Sequence, residues 1–179
     1  MGGENGTGGE TYSRTPRAED LIKICNALEA NEVDYVLVGG WAINIHGAIR
    51  PTEDIDLLVN PAPDNIQKLK KALSVLPDNA VAEVEDHDIQ ELTVVRVADE
   101  VVIDLMGRIA DVTTDTAGKN IIEFQGAKII VADLETLIKT KQGLRPQDQM
   151  DLVFLKRKKK LINASEIYVE EVLKKRREY

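Results

Sequence analysis

The segment Tyr35–Val59, YVLVGGWAINIHGAIRPTEDIDLLV, restricts the fold more than any other part of the chain. It opens with a short apolar run, turns at Gly39-Gly40 and continues with helical spacing. It closes on Asp-Ile-Asp-Leu-Leu-Val, an alternating pattern that reads as a strand. Strand, glycine turn, helix and second strand together demand a sheet with helices packed against it. Side chains alternate faces along a strand, so Asp54 and Asp56 point one way while Ile55, Leu57 and Val59 supply apolar surface. Two like charges so placed repel each other unless a cation lies between them or one is protonated. The pair is therefore either the wet face of an amphipathic edge strand or part of a site for a hard divalent ion, which favours oxygen ligands.

The remaining pattern extends this picture. Residues 17–31 carry Leu21, Ile22, Ile24, Cys25 and Leu28 at spacings of three and four, a helix. YVLV (35–38) is a buried strand, 41–47 a short helix and 54–59 a strand. Pro61 and Pro63 end that strand and begin a helix reaching about Leu76, with Ile66, Leu69, Leu73 and Leu76 inward. AVAEVE, IQELTVVRVA and VVIDLM read as successive strands, the last two joined by a tight turn around Asp99-Glu100, and NIIEFQGAKIIVA reads as a hairpin across Gln125-Gly126. Asp133 then caps a helix over 134–142, Gly143 stops it, and Pro146 opens another to about Lys160. Asn163 with Glu166 forms a capping pair for a final helix. The expected class is α/β (α+β), a mixed sheet with flanking and C-terminal helices. The expected parts are a flexible tail over 1–16, rich in glycine and polar residues, a core over 17–132 and a helical extension over 133–179.

Composition narrows the function. The 179 residues are 43% hydrophobic, enough for one core, and no apolar run approaches membrane-spanning length, so no membrane partner is expected. Cys25 is the only cysteine, which excludes an intrachain disulfide and a zinc cluster and suits a reduced, cytoplasmic setting. A net charge of −8 argues against a general nucleic-acid coat protein. Base is nonetheless concentrated in LKRKKK (155–160) and LKKRRE (173–178), either as solvated helix ends or as a contact for RNA or polyphosphate.

A third acid, Asp104, sits between apolar neighbours in VVIDLM. Aspartate is depleted from strands and costly in an apolar setting without a partner. If that strand lies beside DIDLLV, three carboxylates converge. Gly39 and Gly40 leave the start of the short helix unobstructed, where backbone N–H groups favour phosphate oxygens; a tight turn alone would also call for glycine. His46 reads as a structural hydrogen bonder, His87 as a surface residue, and Trp41 as a core residue or a base-stacking one. Arg50 either contacts phosphate or pairs with Glu53 or Asp54. Lys141 and Asp148 either form a salt bridge between helices or touch nucleotide, and Asp151 shares that ambiguity.

At LVGGWAINIHGAIRPTEDIDLLV the residues resemble the signature of the polymerase-beta-type nucleotidyltransferase superfamily. Within it, His46-Gly47, Arg50, Thr52, Asp54 and Asp56 look closest to the minimal, abortive-infection toxin-type and lincosamide-type members. The likeness returns in DLETLIKTKQGLRPQDQMDLVFL, through Lys141, Arg145, Asp148 and Asp151. It spans roughly 18–158, with its specific motifs in 38–59, 101–105 and 133–152. What the resemblance implies is a two-ion nucleotidyl transfer with Mg²⁺, or Mn²⁺ in its place. Asp54 and Asp56 would hold the ion bound to the triphosphate and share a second with Asp104, the base or its orienting group. Gly39, Gly40 and the Trp41 N–H would bind phosphates, Arg50 and Lys141 would neutralise them, and Thr52 and Asp148 would complete the nucleotide site.

Three functions follow. The first is an active enzyme moving an NMP from an NTP to a small molecule, a protein hydroxyl or a tRNA-like RNA end. The second is a toxin–antitoxin or phage-defence component acting mainly through a partner protein or a second copy. The third is a metal-free binding module that kept the fold only.

Overall fold

The computed structural model describes residues 13–141, 143 and 145–177. In chain order the elements are α1 (Ala18–Ala30), β1 (Tyr35–Leu37), α2 (Gly39–Ile45), β2 (Asp54–Val59), α3 (Pro63–Leu73), α4 (Asp88–Glu91), β3 (Val95–Ala98), β4 (Val102–Met106), β5 (Lys119–Phe124), β6 (Ala127–Ala132), α5 (Leu134–Thr140) and α6 (Pro146–Arg177). One sheet holds all six strands in the order β3-β4-β2-β1-β6-β5. It is mixed: β2 runs parallel to β4 and β1 parallel to β6, while β1/β2, β3/β4 and β5/β6 are antiparallel. The class is the expected one.

Central strands are buried because their sequence is apolar on both sides. Tyr35, Val36 and Leu37 of β1 are all buried, as are Ile55, Leu57, Leu58 and Val59 of β2. The stripe Leu21, Ile24, Cys25 and Leu28 of α1 is fully buried, and so are Ile66, Leu69 and Leu73 of α3, which packs alongside α1. Burying each such side chain stabilises the fold by about 1.5–3 kcal/mol relative to leaving it in water. The β5–β6 hairpin turns at Gln125-Gly126, both with positive φ (49° and 83°), the backbone that a two-residue turn of matching twist requires.

Three expected elements differ. AVAEVE is not a strand; Ala80–Glu83 forms a 3₁₀ turn. Asn79 turns left-handed before it (φ 50°), and the buried Asp99 carboxylate accepts hydrogen bonds from the N–H groups of Asp78 (3.1 Å), Ala80 (3.0 Å) and Glu100 (2.7 Å). One acid thus fixes two turns at once, overriding a weak alternating pattern. In IQELTVVRVA only Val95–Ala98 is strand, the first residues lying in α4. The two expected C-terminal helices are one, α6, and Asn163 and Glu166 lie inside it rather than at a start. No glycine or proline falls between residues 147 and 177, and Lys, Arg, Glu, Leu and Ala there favour continued helix. A capping residue begins a helix only where the ladder is already interrupted.

Residues 1–12 of the expected tail lie outside the described residues. Residues 13 and 14 are bound to the core: Arg14 bridges to Val101, its guanidinium grips Asp20 through two hydrogen bonds of 2.7 Å each, and it pairs with Glu100 at 2.8 Å. Among the described residues, no helix is long and apolar enough to cross a membrane.

Candidate active site

The site is assembled from β2, β4, the β1–α2 turn, the loop over 50–52 and the α5–α6 junction. Because β2 and β4 are parallel neighbours in register, Asp56 and Asp104 are direct cross-strand partners and their side chains share a face. Asp54 lies on that same face, two residues earlier. The arrangement raised by the sequence pattern, three acids from two distant segments on one side of the sheet, is what the topology produces.

Crowding of like charge away from water has an electrostatic cost. Burial, then the neighbouring Asp54 and Asp104, push the Asp56 carboxyl up from an ordinary 3.8 to about 6, with Lys141 and the Gly40 N–H partly offsetting them. Asp54 is also raised, by burial first and by Asp104 second, against the lowering influence of Arg96.

The glycine turn is shaped around these acids. Gly39 has φ +63°, and a Cβ built there would fall inside the Asp56 carboxyl group. A Cβ on Gly40 would run into the Thr52 methyl and the Arg50 guanidinium. Glycine is needed at both positions for contact rather than for turn geometry alone. Gly39 therefore touches Asp56, and Gly40 touches Thr52 and Arg50. Trp41 packs partly buried against the core, and its indole N–H is a buried donor without a hydrogen-bond partner.

Arg50 pairs with neither Glu53 nor Asp54. Its loop is clasped by Asn44, which accepts from the Arg50 N–H (3.1 Å) and donates to the Arg50 carbonyl (2.8 Å). Its side chain lies 3.4 Å from Asp151 of α6, with Nε buried and not hydrogen-bonded. Lys141, where α5 ends, reaches Asp148 at 3.3 Å and Asp151 at 3.1 Å. Burial works against ionising Asp148, yet hydrogen bonds from Arg145 and Lys141 and their charges hold its carboxyl below the ordinary range. Asp133 caps α5 as expected, accepting from the Thr136 N–H at 2.7 Å. The buried His46 Nε2 is 2.8 Å from the Ala132 carbonyl, which can only accept, so the ring donates there and braces α2 against β6. Lys158 of α6 donates to the His46 carbonyl. His87 is exposed beside Asp88.

The residue that sequence reasoning missed is Arg96. On β3 it stands opposite Asp104 in the antiparallel register and grips it with both arms, Nε to Oδ1 at 2.8 Å and Nη2 to Oδ2 at 2.7 Å; Nη2 also lies 3.3 Å from Asp54 Oδ2. A signal did exist. A turn centred on Glu100 pairs residues 96 and 104, each four positions away. Among the described residues no three acidic, histidine or cysteine side chains are arranged to hold one ion as they stand. The cation between Asp54 and Asp104 is Arg96. The donor set itself suits a divalent ion: the donors are all oxygen, two of the carboxyls are raised by burial and then by neighbouring carboxylates, and a guanidinium is already drawn to the group.

Residues 24–179 match the family described as nucleotidyl transferase AbiEii toxin, type IV TA system. The chain belongs to that family. Among solved structures, the fold resembles a lincosamide antibiotic adenylyltransferase, LnuA, in its lincomycin-bound form. The TM-score is 0.56 and the identity 19%, over 80% of this chain and 98% of that one. It also resembles ANT(2")-Ia in complex with adenylyl-2"-tobramycin, with a TM-score of 0.50 at 14% identity over 89% and 97% of the two chains. At such identities the likeness is one of fold. No curated protein matched by sequence. Family and fold agree, and the AbiEii-family chain is an enzyme of the nucleotidyltransferase class.

Proposed function

We propose that this AbiEii-family enzyme moves an NMP from an NTP to a hydroxyl acceptor, with Asp54, Asp56 and Asp104 holding Mg²⁺, for which Mn²⁺ substitutes. One observation carries the reading: three acids on a single sheet face, the central one, Asp56, packed directly against a Gly-Gly turn that excludes any side chain. Divalent ions bound there would clamp the attacking and leaving oxygens. Asp54 and Asp56 would receive the ion that accompanies the triphosphate. Asp104 would orient the acceptor hydroxyl or take its proton as the acceptor oxygen bonds to the α-phosphorus and pyrophosphate departs. The backbone of Gly39, Gly40 and Trp41 would hold the β- and γ-phosphates, with Thr52 against them. Arg50 supports this, since its guanidinium lies directly against Gly40 at the turn, where it would meet phosphate oxygens. Lys141, held by Asp148 and Asp151, contributes positive charge already felt at Asp56.

ATP is the first nucleotide to test, because adenylyl transfer is what both fold neighbours' names describe. The basic run along α6 favours a phosphate-rich acceptor such as a tRNA-like RNA end over a small apolar one. The family's description supports a second, compatible reading in which the enzyme is the toxin of a toxin–antitoxin pair, restrained by a partner protein. The buried single thiol suits the cytoplasm.

Incubation with Mg²⁺ and each α-labelled NTP, alone and with total RNA, cell protein or a lincosamide, tests this directly. Pyrophosphate release with label on one acceptor class supports the proposal and names the acceptor. An absence of turnover together with an absence of metal-dependent NTP binding would reduce the chain to a binding module.

A further inference from the structure

Arg96 occupies the position in which nucleotidyl transfer would need a metal ion. Its two-armed contact covers both oxygens of Asp104, and its Nη2 reaches Asp54, so those two acids already share a positive charge. The carboxylates are held firmly: the Asp104 side chain is 10% exposed and lies in the body of the sheet. The cation lies open to water. β3 is an edge strand whose side chains alternate buried and exposed, and the Arg96 side chain is 60% exposed, so the guanidinium has open solvent to move into.

We propose that Arg96 is the resident counter-cation of the acidic site, displaced from Asp104 and Asp54 when a divalent ion enters and received in turn by the triphosphate that the ion accompanies. This rests on the reading of the three acids as metal ligands. Two consequences follow from the geometry. Free metal must compete with a two-armed, charge-assisted contact and so binds weakly. Metal arriving with a nucleotide binds better, because phosphate oxygens offer the displaced guanidinium a fork of equal fit. The site thereby prefers the metal–nucleotide complex over either component. Without Arg96, three acids on one face would face each other with only Lys141 and Arg50 nearby.

The test is Mn²⁺ binding to the full chain, followed by electron paramagnetic resonance, with and without a non-hydrolysable ATP analogue. It is run on wild type, Arg96→Gln, Arg96→Lys and Asp56→Asn, alongside metal-free melting temperatures. Removing the competing contact is expected to tighten Mn²⁺ alone by on the order of tenfold in Arg96→Gln. The same variant should shrink the extra affinity gained from nucleotide and lower the metal-free melting temperature. Arg96→Lys, which keeps the charge but loses the fork, should fall between. Unchanged or weaker Mn²⁺ binding in a folded Arg96→Gln, with wild-type binding lost in Asp56→Asn, would overturn the exchange and leave the metal site standing; Arg96 would then only fasten β3 to β4. If Mn²⁺ binds neither wild type nor Arg96→Gln, the metal reading fails and the exchange with it.

Discussion

Replacing Asp56 with asparagine should make the metal-free protein more stable while removing its metal-dependent nucleotide binding. Asparagine keeps the shape of the side chain and an oxygen toward the Gly40 N–H, but never ionises. A carboxyl pushed from 3.8 to about 6 by burial and by Asp54 and Asp104 costs the fold up to about 3 kcal/mol once it is fully ionised. The folded state holds this proton to higher pH than the unfolded chain does. Between pH 4 and 6 the native protein therefore binds more protons, and wild-type stability falls as pH rises through that window. Above it the loss is complete and constant. In EDTA at pH 7.5, Asp56→Asn should melt roughly 6–12 °C higher than wild type. Near pH 4, where the wild-type acid is protonated, the two should melt together. Differential scanning calorimetry across pH 4–8 reads both. An Asn variant no more stable at pH 7.5, or one whose advantage is undiminished at pH 4, would refute the account of Asp56 as a crowded, desolvated acid.

Two further substitutions probe the surrounding framework. Gly39→Ala places a side chain at φ +63° and into the Asp56 carboxyl. It should destabilise by at least about 1–2 kcal/mol, read as a shifted urea midpoint, and weaken NTP binding in equilibrium dialysis; a neutral effect on both would contradict the contact. Lys141→Met leaves the Asp148 and Asp151 side chains, 5% and 3% exposed, facing each other with only Arg145 and Arg50 near them. A loss of roughly 3 kcal/mol in the urea midpoint is expected, and less than 1 kcal/mol would show the junction to be better hydrated than its geometry implies.

The central strand–turn–helix–strand segment was legible because each local preference agreed with the global fold. The apolar run at 35–38, the glycine pair and the alternation of 54–59 all point to the same arrangement. Asp104 was legible for the opposite reason, as an acid that no isolated strand would tolerate. Arg96 escaped because a lone arginine on an edge strand looks like ordinary solvated surface. Its role comes from a register with Asp104 that only pairing fixes. AVAEVE was misread because the carboxylate of Asp99, some twenty residues away, decides its conformation. The break near Asn163 was misread because a capping pattern was taken without a breaker before it. Arg50 lies against Asp151, about a hundred residues on, a partner that neither of its two sequence readings, phosphate or Glu53/Asp54, contained. For Arg96, AVAEVE and Arg50, what the sequence does not reveal is a long-range polar contact.

The most direct test of the whole account is anomalous diffraction at the manganese edge from crystals grown with Mn²⁺ and a non-hydrolysable NTP. The acids are expected to show a peak shared by the carboxylates of residues 54 and 56, with the triphosphate lying along the Gly39-Gly40 turn. Nucleotide bound elsewhere, or manganese found away from both carboxylates while the nucleotide is in place, would contradict it.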